Sequence, residues 1–195
     1  VRKIGHAGTL DPLASGLMLM LFGAACKQAE RLTKLDKRYT GQMTLGANSS
    51  TGDGEGEKTI VSDRMPSRAE IEAVLAQFTG EITQIPSAYS AIKINGKEAY
   101  KRARAGEAVV MPSRVVKVYE NTLIAYEYPQ LTLSSKVSSG TYIRSLAEDI
   151  GKALETGGYL SGLVRNEVGD YRLEAAVSLD EMDFDSVQQA LLSLS

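Results

Sequence analysis

Close to the start of the chain, a histidine and an aspartate stand five residues apart in Gly5-His6-Ala7-Gly8-Thr9-Leu10-Asp11-Pro12-Leu13-Ala14-Ser15-Gly16. The glycines let the backbone turn where side chains would clash. Pro12 fixes its own φ and pushes Asp11 towards an extended conformation. A carboxylate is thus presented on a stiff loop, the kind of group that chemistry at a fixed anion requires. For an isolated Asp-Pro the ordinary reading is a turn leading into a core strand. That reading leaves His6, the single histidine of the chain, without a purpose.

The elements that must position this loop follow from hydrophobic pattern. The continuous apolar run Leu17-Met18-Leu19-Met20-Leu21-Phe22 predicts a strand buried on both faces. Gly23 to Leu35 reads as a helix, with Ala25, Ala29, Leu32 and Leu35 at helical spacing. After Lys34-Leu35-Asp36-Lys37-Arg38-Tyr39, alternation through Met43 and Leu45 predicts a half-buried strand, and a strand tyrosine is ordinarily core or a cross-strand partner. Gly46 to Lys58, rich in Gly, Ser, Asn, Asp and Glu, reads as an exposed loop. Within it Asp53-Gly54-Glu55-Gly56-Glu57 lacks the spaced oxygen ligands of a calcium loop.

Ser67-Arg68-Ala69-Glu70 is a capping box, opening a helix with Ile71, Val74, Leu75 and Phe78 on one face, closed by Gly80. Asn95-Gly96 signals a tight hairpin, and Tyr100 to Ala105 a short basic helix. Two β-rich segments follow, Val115 to Tyr128 and Leu131 to Val137. Ile143, Leu146, Ile150 and Leu154 share one helix face, leaving Arg144 on another, where an arginine is most often a surface charge. An acidic helical segment, Asp185 to Leu194, comes last. Strands and helices without a regular βαβ repeat predict an α+β fold, with a mixed, mainly antiparallel sheet flanked by helices.

At 195 residues, with 43% hydrophobic and 24% charged content, the chain fits one ordinary globular domain. One cysteine, Cys26, excludes an intrachain disulfide and fits a reducing compartment. No leader or membrane-length apolar run stands out, so a cytoplasmic monomer is expected. The net charge of −2 does not suggest a nucleic-acid partner, but it is unevenly spread. Lys93, Lys97, Lys101, Arg102, Arg104, Arg114 and Lys117 stand against Glu98 and Glu107, whereas the stretch from Glu167 onward is acidic. Asymmetry of this kind permits a local basic footprint on an acidic body, although by itself an ordinary solvated charged face is the commoner reading. A lone His and a lone Cys supply no cluster with metal-ligand spacing, and no nucleotide fingerprint appears, so neither metal nor cofactor is expected.

The Gly5–Gly16 motif resembles the signature of the TruB-type pseudouridine synthases, the tRNA pseudouridine-55 synthase family, bacterial enzymes that isomerise a uridine in the T-loop of tRNA. The resemblance implies that Asp11 is the catalytic carboxylate, acting as a nucleophile at C1′ or as a base at C2′. It continues through Asp36-Lys37-Arg38-Tyr39, whose tyrosine would stack on the target uracil, and through a block from Ile85-Pro86 to Gly106. In Gly140-Thr141-Tyr142-Ile143-Arg144, the arginine would pair with the catalytic aspartate and Tyr142 would belong to the substrate site. In Tyr159-Leu160-Ser161-Gly162-Leu163-Val164-Arg165, Leu163 would supply an apolar pocket wall. His6 would fill the space left by an extruded base or hold its phosphate. The partner implied is the T-loop and T-stem of tRNA.

Two positions depart from the pattern: Ser139 stands where a lysine is common, and Asn166 where a second arginine is common. Both changes remove possible phosphate contacts. The resemblance also implies that residues 1–195 are the catalytic domain, without the family's earlier strand and helix or the C-terminal RNA-binding domain of many members. Two other readings stand beside the isomerase: a non-catalytic RNA-binding or RNA-folding module on the same scaffold, and a guide-RNA-dependent synthase. The Leu-Ala-Ser-Gly continuation after Asp-Pro disfavours the guide-dependent enzyme.

Overall fold

Strict alternation in Gln130–Val137 puts Leu131, Leu133, Ser135 and Val137 on one face of a strand, all buried, with Thr132, Ser134 and Lys136 on the other. A buried row of this kind needs a cover, and two helices provide it. The computed structural model of the protein describes residues 3–86, 93–94, 97–99, 102 and 110–191.

Its strands are β1 (Ile4–His6), β2 (Ala14–Gly16), β3 (Met20–Phe22), β4 (Lys37–Leu45), β5 (Ala47–Ser49), β6 (Lys58–Ile60), β7 (Gly80–Gln84), β8 (Lys93–Ile94), β9 (Lys97–Glu98), β10 (Arg114–Glu127), β11 (Gln130–Val137), β12 (Gly158–Val168) and β13 (Tyr171–Arg172). Among the described residues, the α-helices with both ends described are α1 (Ala29–Thr33), α2 (Arg68–Gln77), α3 (Ile143–Ala153) and α4 (Phe184–Gln189).

Among the described residues the main sheet has seven strands, in the order β13-β12-β4-β11-β10-β7, with β2 added to β12. Every pair along the main path is antiparallel, and β2 on β12 is parallel. The fold is therefore the mixed, mainly antiparallel α+β arrangement expected from sequence. β1 and β3 form a separate two-stranded ribbon, as do β5 with β6 and β8 with β9. Ile71, Val74 and Leu75 of α2, with Ile143, Leu146 and Ile150 of α3, pack on Met43, Leu131, Leu133, Leu160 and Leu163 of the sheet. Each such side chain buried contributes roughly 1.5–3 kcal/mol. The Ser67–Glu70 capping box forms as predicted and starts α2. Among the described residues, no helix is long and apolar enough to cross a membrane.

Register carries the inner face across three strands in rows. Leu131, Met43 and Leu160 are neighbours, then Leu133, Gly41 and Leu163, then Ser135, Tyr39 and Arg165. The face therefore changes from apolar to polar along the strands, and the polar end faces the Asp11 loop.

Several expectations are corrected. Leu17–Phe22 is not one doubly buried strand: β2 ends at Gly16, β3 starts at Met20, and Met18 and Met20 are exposed while Leu17 and Leu21 are buried. The break lies at Gly16, where φ is +100° and a Cβ would sit 2.4 Å from the Arg165 carbonyl oxygen. Substitution with alanine meets both a left-handed backbone and a closed space. Gly16→Ala is expected to destabilise the protein by roughly 2–4 kcal/mol, read from urea unfolding. A loss under 1 kcal/mol would show that the parallel β2–β12 pairing tolerates displacement.

The Gly23–Leu35 helix is instead a 3₁₀ segment, Gly23–Gln28, followed by the short α1. The Lys37 ammonium donates to the carbonyl of Thr33, the last residue of α1, and to that of Leu35 just beyond it. Gly46–Lys58 is not simply an exposed loop, because it opens with β5 and buries Ala47, Ser49 and Asp53. The last helix, α4, is shorter than expected and is capped by Asp183. The Asn95-Gly96 turn and most of segment 100–105 lie outside the described residues. In the described residues Lys93 pairs with Glu98 and Ile94 with Lys97.

Candidate active site

The Asp11 loop is tied down at both ends. Ala7 donates its amide to Leu19, and the Asp11 carbonyl accepts the Ala14 amide at 2.8 Å, closing the Asp-Pro turn. The chain then runs as β2 along Leu163–Arg165 of β12, and Leu17 donates to the Arg165 carbonyl at 2.8 Å. The Asp11 carboxylate is left 43% exposed at the crown of the loop.

Arg144 reaches that carboxylate from the first turn of α3. Tyr142 is the N-cap of this helix, and its amide and carbonyl are held by the buried side-chain amide of Gln84, at 3.0 and 3.2 Å. Arg144 is not the surface charge its type would suggest; its side chain is 8% exposed. One terminal nitrogen donates to Asp11 Oδ2 at 2.9 Å. The other lies 3.0 Å from Asp53 Oδ2 and donates to the Thr51 carbonyl at 3.1 Å. Asp53 is itself filled, its Oδ1 accepting from the Thr51 hydroxyl and the Glu55 amide. Among the described residues nothing hydrogen-bonds Asp11 Oδ1. The guanidinium therefore serves one buried, saturated carboxylate and one reachable carboxylate with an oxygen to spare. Charge-assisted bonds of this planar type fix orientation as well as energy.

Close contact with α3 explains how the Asp53 loop reaches the arginine. Gly52 has φ +74°, and a Cβ there would stand 2.7 Å from Glu148 Oε1 and 3.0 Å from Arg144 Cγ. Burial pushes the Glu148 carboxyl up to about 7, the charges of Asp149 and Asp53 adding to the rise and Arg144 opposing it. The folded chain thus binds this proton more tightly than the unfolded chain, whose ordinary value is 4.5. Stability from this group is fully present below the unfolded value and falls as pH rises towards 7. Glu148→Gln, a neutral mimic, is expected to raise the thermal midpoint at pH 8 and leave it unchanged at pH 4. Equal effects at both pH values would rule out titration as the cause.

Tyr39 sits beside Arg165 across the β4–β12 pair. Burial makes its phenol hold the proton more firmly than usual, the Arg165 cation pulling against this and the Asp11 charge adding to it. Tyr39 and Asp11 thus share one electrostatic environment. Leu163, buried, stands opposite both Gly41 of β4 and Ala14 of β2, with Leu13 and Tyr39 packed on the same cluster.

Two expected site residues are less closely joined. The Tyr142 ring lies under the Arg114 guanidinium at 5.5 Å, on the side of α3 facing β10. His6 is exposed at the end of β1, opposite Met20 on the ribbon, and no described contact joins it to Asp11. The departures have local partners: Ser139 donates to the Thr33 carbonyl, and Asn166 accepts from Thr40. Sequence reasoning missed Asp53 and the buried Arg165. Asp53 lay in a stretch whose composition reads as loop. The one signal for Arg165 was its place in the Tyr159–Arg165 block, which gave it no role. Among the described residues, no group of three or more His, Cys, Asp or Glu side chains converges as a metal site.

Comparison with known proteins finds relatives by sequence and by fold. The model of a family described as TruB family pseudouridylate synthase (N terminal domain) matches residues 1–143. The chain is 43% identical over 196 residues to tRNA pseudouridine synthase B of Francisella tularensis subsp. novicida, covering 100% of this chain and 65% of that protein. It is 46% identical over 183 residues to the protein of the same name from Burkholderia pseudomallei, covering 94% and 61%. It therefore spans less than two thirds of the length of these relatives. Among solved structures, a chain of a Cbf5-Nop10-Gar1 complex aligns with a TM-score of 0.71 at 28% identity, over 92% of this chain and 45% of that one. A chain of an H/ACA RNP bound to a substrate RNA containing 2′-deoxyuridine aligns with a TM-score of 0.66 at 26% identity, over 92% and 43%. With Asp11, Tyr39, Arg144 and Leu163 on the loop, strands and helix just described, the chain belongs to the TruB family of pseudouridylate synthases.

Proposed function

We propose that the chain isomerises a uridine in the T-loop of tRNA to pseudouridine, with Asp11 as the catalytic carboxylate. The observation that carries this reading is the Asp11 carboxylate, partly exposed and held through one oxygen by a buried Arg144 at 2.9 Å. The names of its relatives, tRNA pseudouridine synthase B, support tRNA as the substrate class.

The target base must leave its stack, at a cost of about a few kcal/mol. Tyr39 offsets part of this by stacking on the uracil, worth roughly 1–3 kcal/mol per base, and Leu163 closes the apolar side of the pocket. Asp11 then acts at the sugar, through Oδ1, as a nucleophile at C1′ or as the base at C2′. The C1′–N1 bond breaks, the uracil turns, and a C1′–C5 bond forms. The C5 hydrogen passes to solvent and N1 gains a proton. The change is redox-neutral and is drawn with protein groups alone. His6 and Tyr142 are assigned to the RNA approach rather than to the reacting atoms, and the lone Cys26 fits a cytoplasmic setting.

The test is release of tritium from C5-labelled uridine in a tRNA transcript, with no other RNA present. Release at a single T-loop position is the expected result. Binding without release would favour the non-catalytic RNA module, and release that requires an added guide RNA would favour the guide-dependent enzyme.

A further inference from the structure

Arg165 is among the largest fully buried side chains of the protein, at 2% exposure. Among the described residues no carboxylate lies within ion-pair distance of it. Three main-chain carbonyls accept from it, Leu17 from Nε at 2.7 Å, Thr9 from one terminal nitrogen at 3.2 Å and Gly8 from the other at 3.3 Å, and the Tyr39 hydroxyl is a further side-chain partner. These three carbonyls flank Asp11 on both sides. Leu17 is held twice, since its own amide donates to the Arg165 carbonyl.

We propose that Arg165 is a positioning residue for Asp11, its guanidinium setting the backbone of the Gly8–Leu17 loop from which the carboxylate hangs. This inference rests on the pseudouridine-forming reading of the site. Two arginines then divide one task. Arg144, from α3, orients the carboxylate; Arg165, from β12, places the chain that carries it. Because Arg165 also stands opposite Tyr39, the same cation sets the loop against the ring on which the base would stack.

Packing alone does not account for this side chain. A buried arginine is a costly way to fill a core, and an apolar residue of similar volume is commonly neutral or better for stability. The planar fork supplies what an apolar residue cannot, donors in fixed directions to three carbonyls at once. A lysine keeps the charge but concentrates its donors at one point. Displacement of a reacting group by about 1 Å is enough to lower a rate on the order of 100-fold.

The experiment compares wild type, Arg165→Lys and Arg165→Met by single-turnover pseudouridine formation and by tRNA affinity. Each is measured well below its own thermal midpoint and expressed per folded molecule. An inactive wild type would overturn the isomerase reading and this inference with it. With an active wild type, Arg165→Met is expected to be slower by about 100-fold and Arg165→Lys by about tenfold. Affinity should stay within about threefold for both, because the guanidinium is enclosed and neutralises no phosphate. A merely structural arginine would lower the midpoint and leave the rate per folded molecule intact. Folded variants within about threefold of the wild-type rate would therefore overturn the proposal. A second measurement needs no variant: in the wild-type protein, the Ala14 and Leu17 amides should resist hydrogen exchange as long as those of β12. Exchange of the loop as a free segment would overturn the clamp.

Discussion

Asp11→Asn is expected to abolish pseudouridine formation while changing tRNA affinity by no more than several-fold. The substitution is nearly isosteric. It keeps the Asp11–Ala14 turn, the extended backbone before Pro12, and an oxygen that can accept from Arg144 at the site now spanned by 2.9 Å. It removes the negative charge and the basicity that attack at C1′ or proton removal at C2′ requires. On the proposed reading affinity comes from phosphate contacts and from stacking by Tyr39, which the substitution does not touch. Both quantities are measurable on one preparation, by filter binding and by product formed in a single turnover. Residual product within about tenfold of wild type would sink the catalytic assignment. Joint loss of binding and folding would instead mark Asp11 as a residue of the turn.

Removal of Arg144 has a different signature, because this side chain serves two carboxylates of unequal burial. Arg144→Ala leaves Asp11 unoriented but able to reach water. Asp53, with a side chain only 6% exposed, is left charged and without its cation. Stranding one partner of a buried pair costs about 3–5 kcal/mol. The variant is therefore expected to lose both catalysis, by orders of magnitude, and stability by about that amount in urea unfolding. Adding Asp53→Asn neutralises the stranded charge and is expected to restore much of the stability without restoring activity. A near-normal turnover in Arg144→Ala would refute the pairing as a functional one. Failure of the double variant to regain stability would mean that Asp53 is held chiefly by Thr51 and Glu55 rather than by the arginine.

Much of this molecule could be read before any coordinates, and the residues that could not share a cause. β-rich composition identified β10 and β11, helical spacing identified α2 and α3, and a long motif drew attention to Asp11. Those features are local, each written within a dozen residues or so. Asp53 was lost to its surroundings, since small and acidic residues that usually mark solvent are here folded against α3 through Gly52. The apolar run after Gly16 misled in the opposite direction. Its residues serve two different pairings, β2 on β12 and β3 on β1, and a glycine with positive φ divides them. Arg165 stayed unremarkable because a single cation in a strand carries no indication of whether its head meets water or carbonyls. The Arg144–Asp11 pair was foreseen through family resemblance, not through residue pattern, which made Arg144 a surface charge.

The seating of β2 against β12 also bears on how the site comes into being. Arg165 and the Leu17 carbonyl are 148 residues apart in the chain, and Arg144 and Asp11 are 133 apart. At about 5–20 residues per second of synthesis, the loop that bears the carboxylate would wait roughly 7–30 s for the strand that clamps it. Until then β4 offers an unpaired edge where β12 will lie, and such edges invite wrong partners. Closing so long a loop is slow on topological grounds, so competence for chemistry arrives with the last long strand and not gradually. A nascent chain released or cleaved ahead of Gly158 would have most of its sheet and none of its clamp. During synthesis most strands of the sheet are made before the one that clamps the loop.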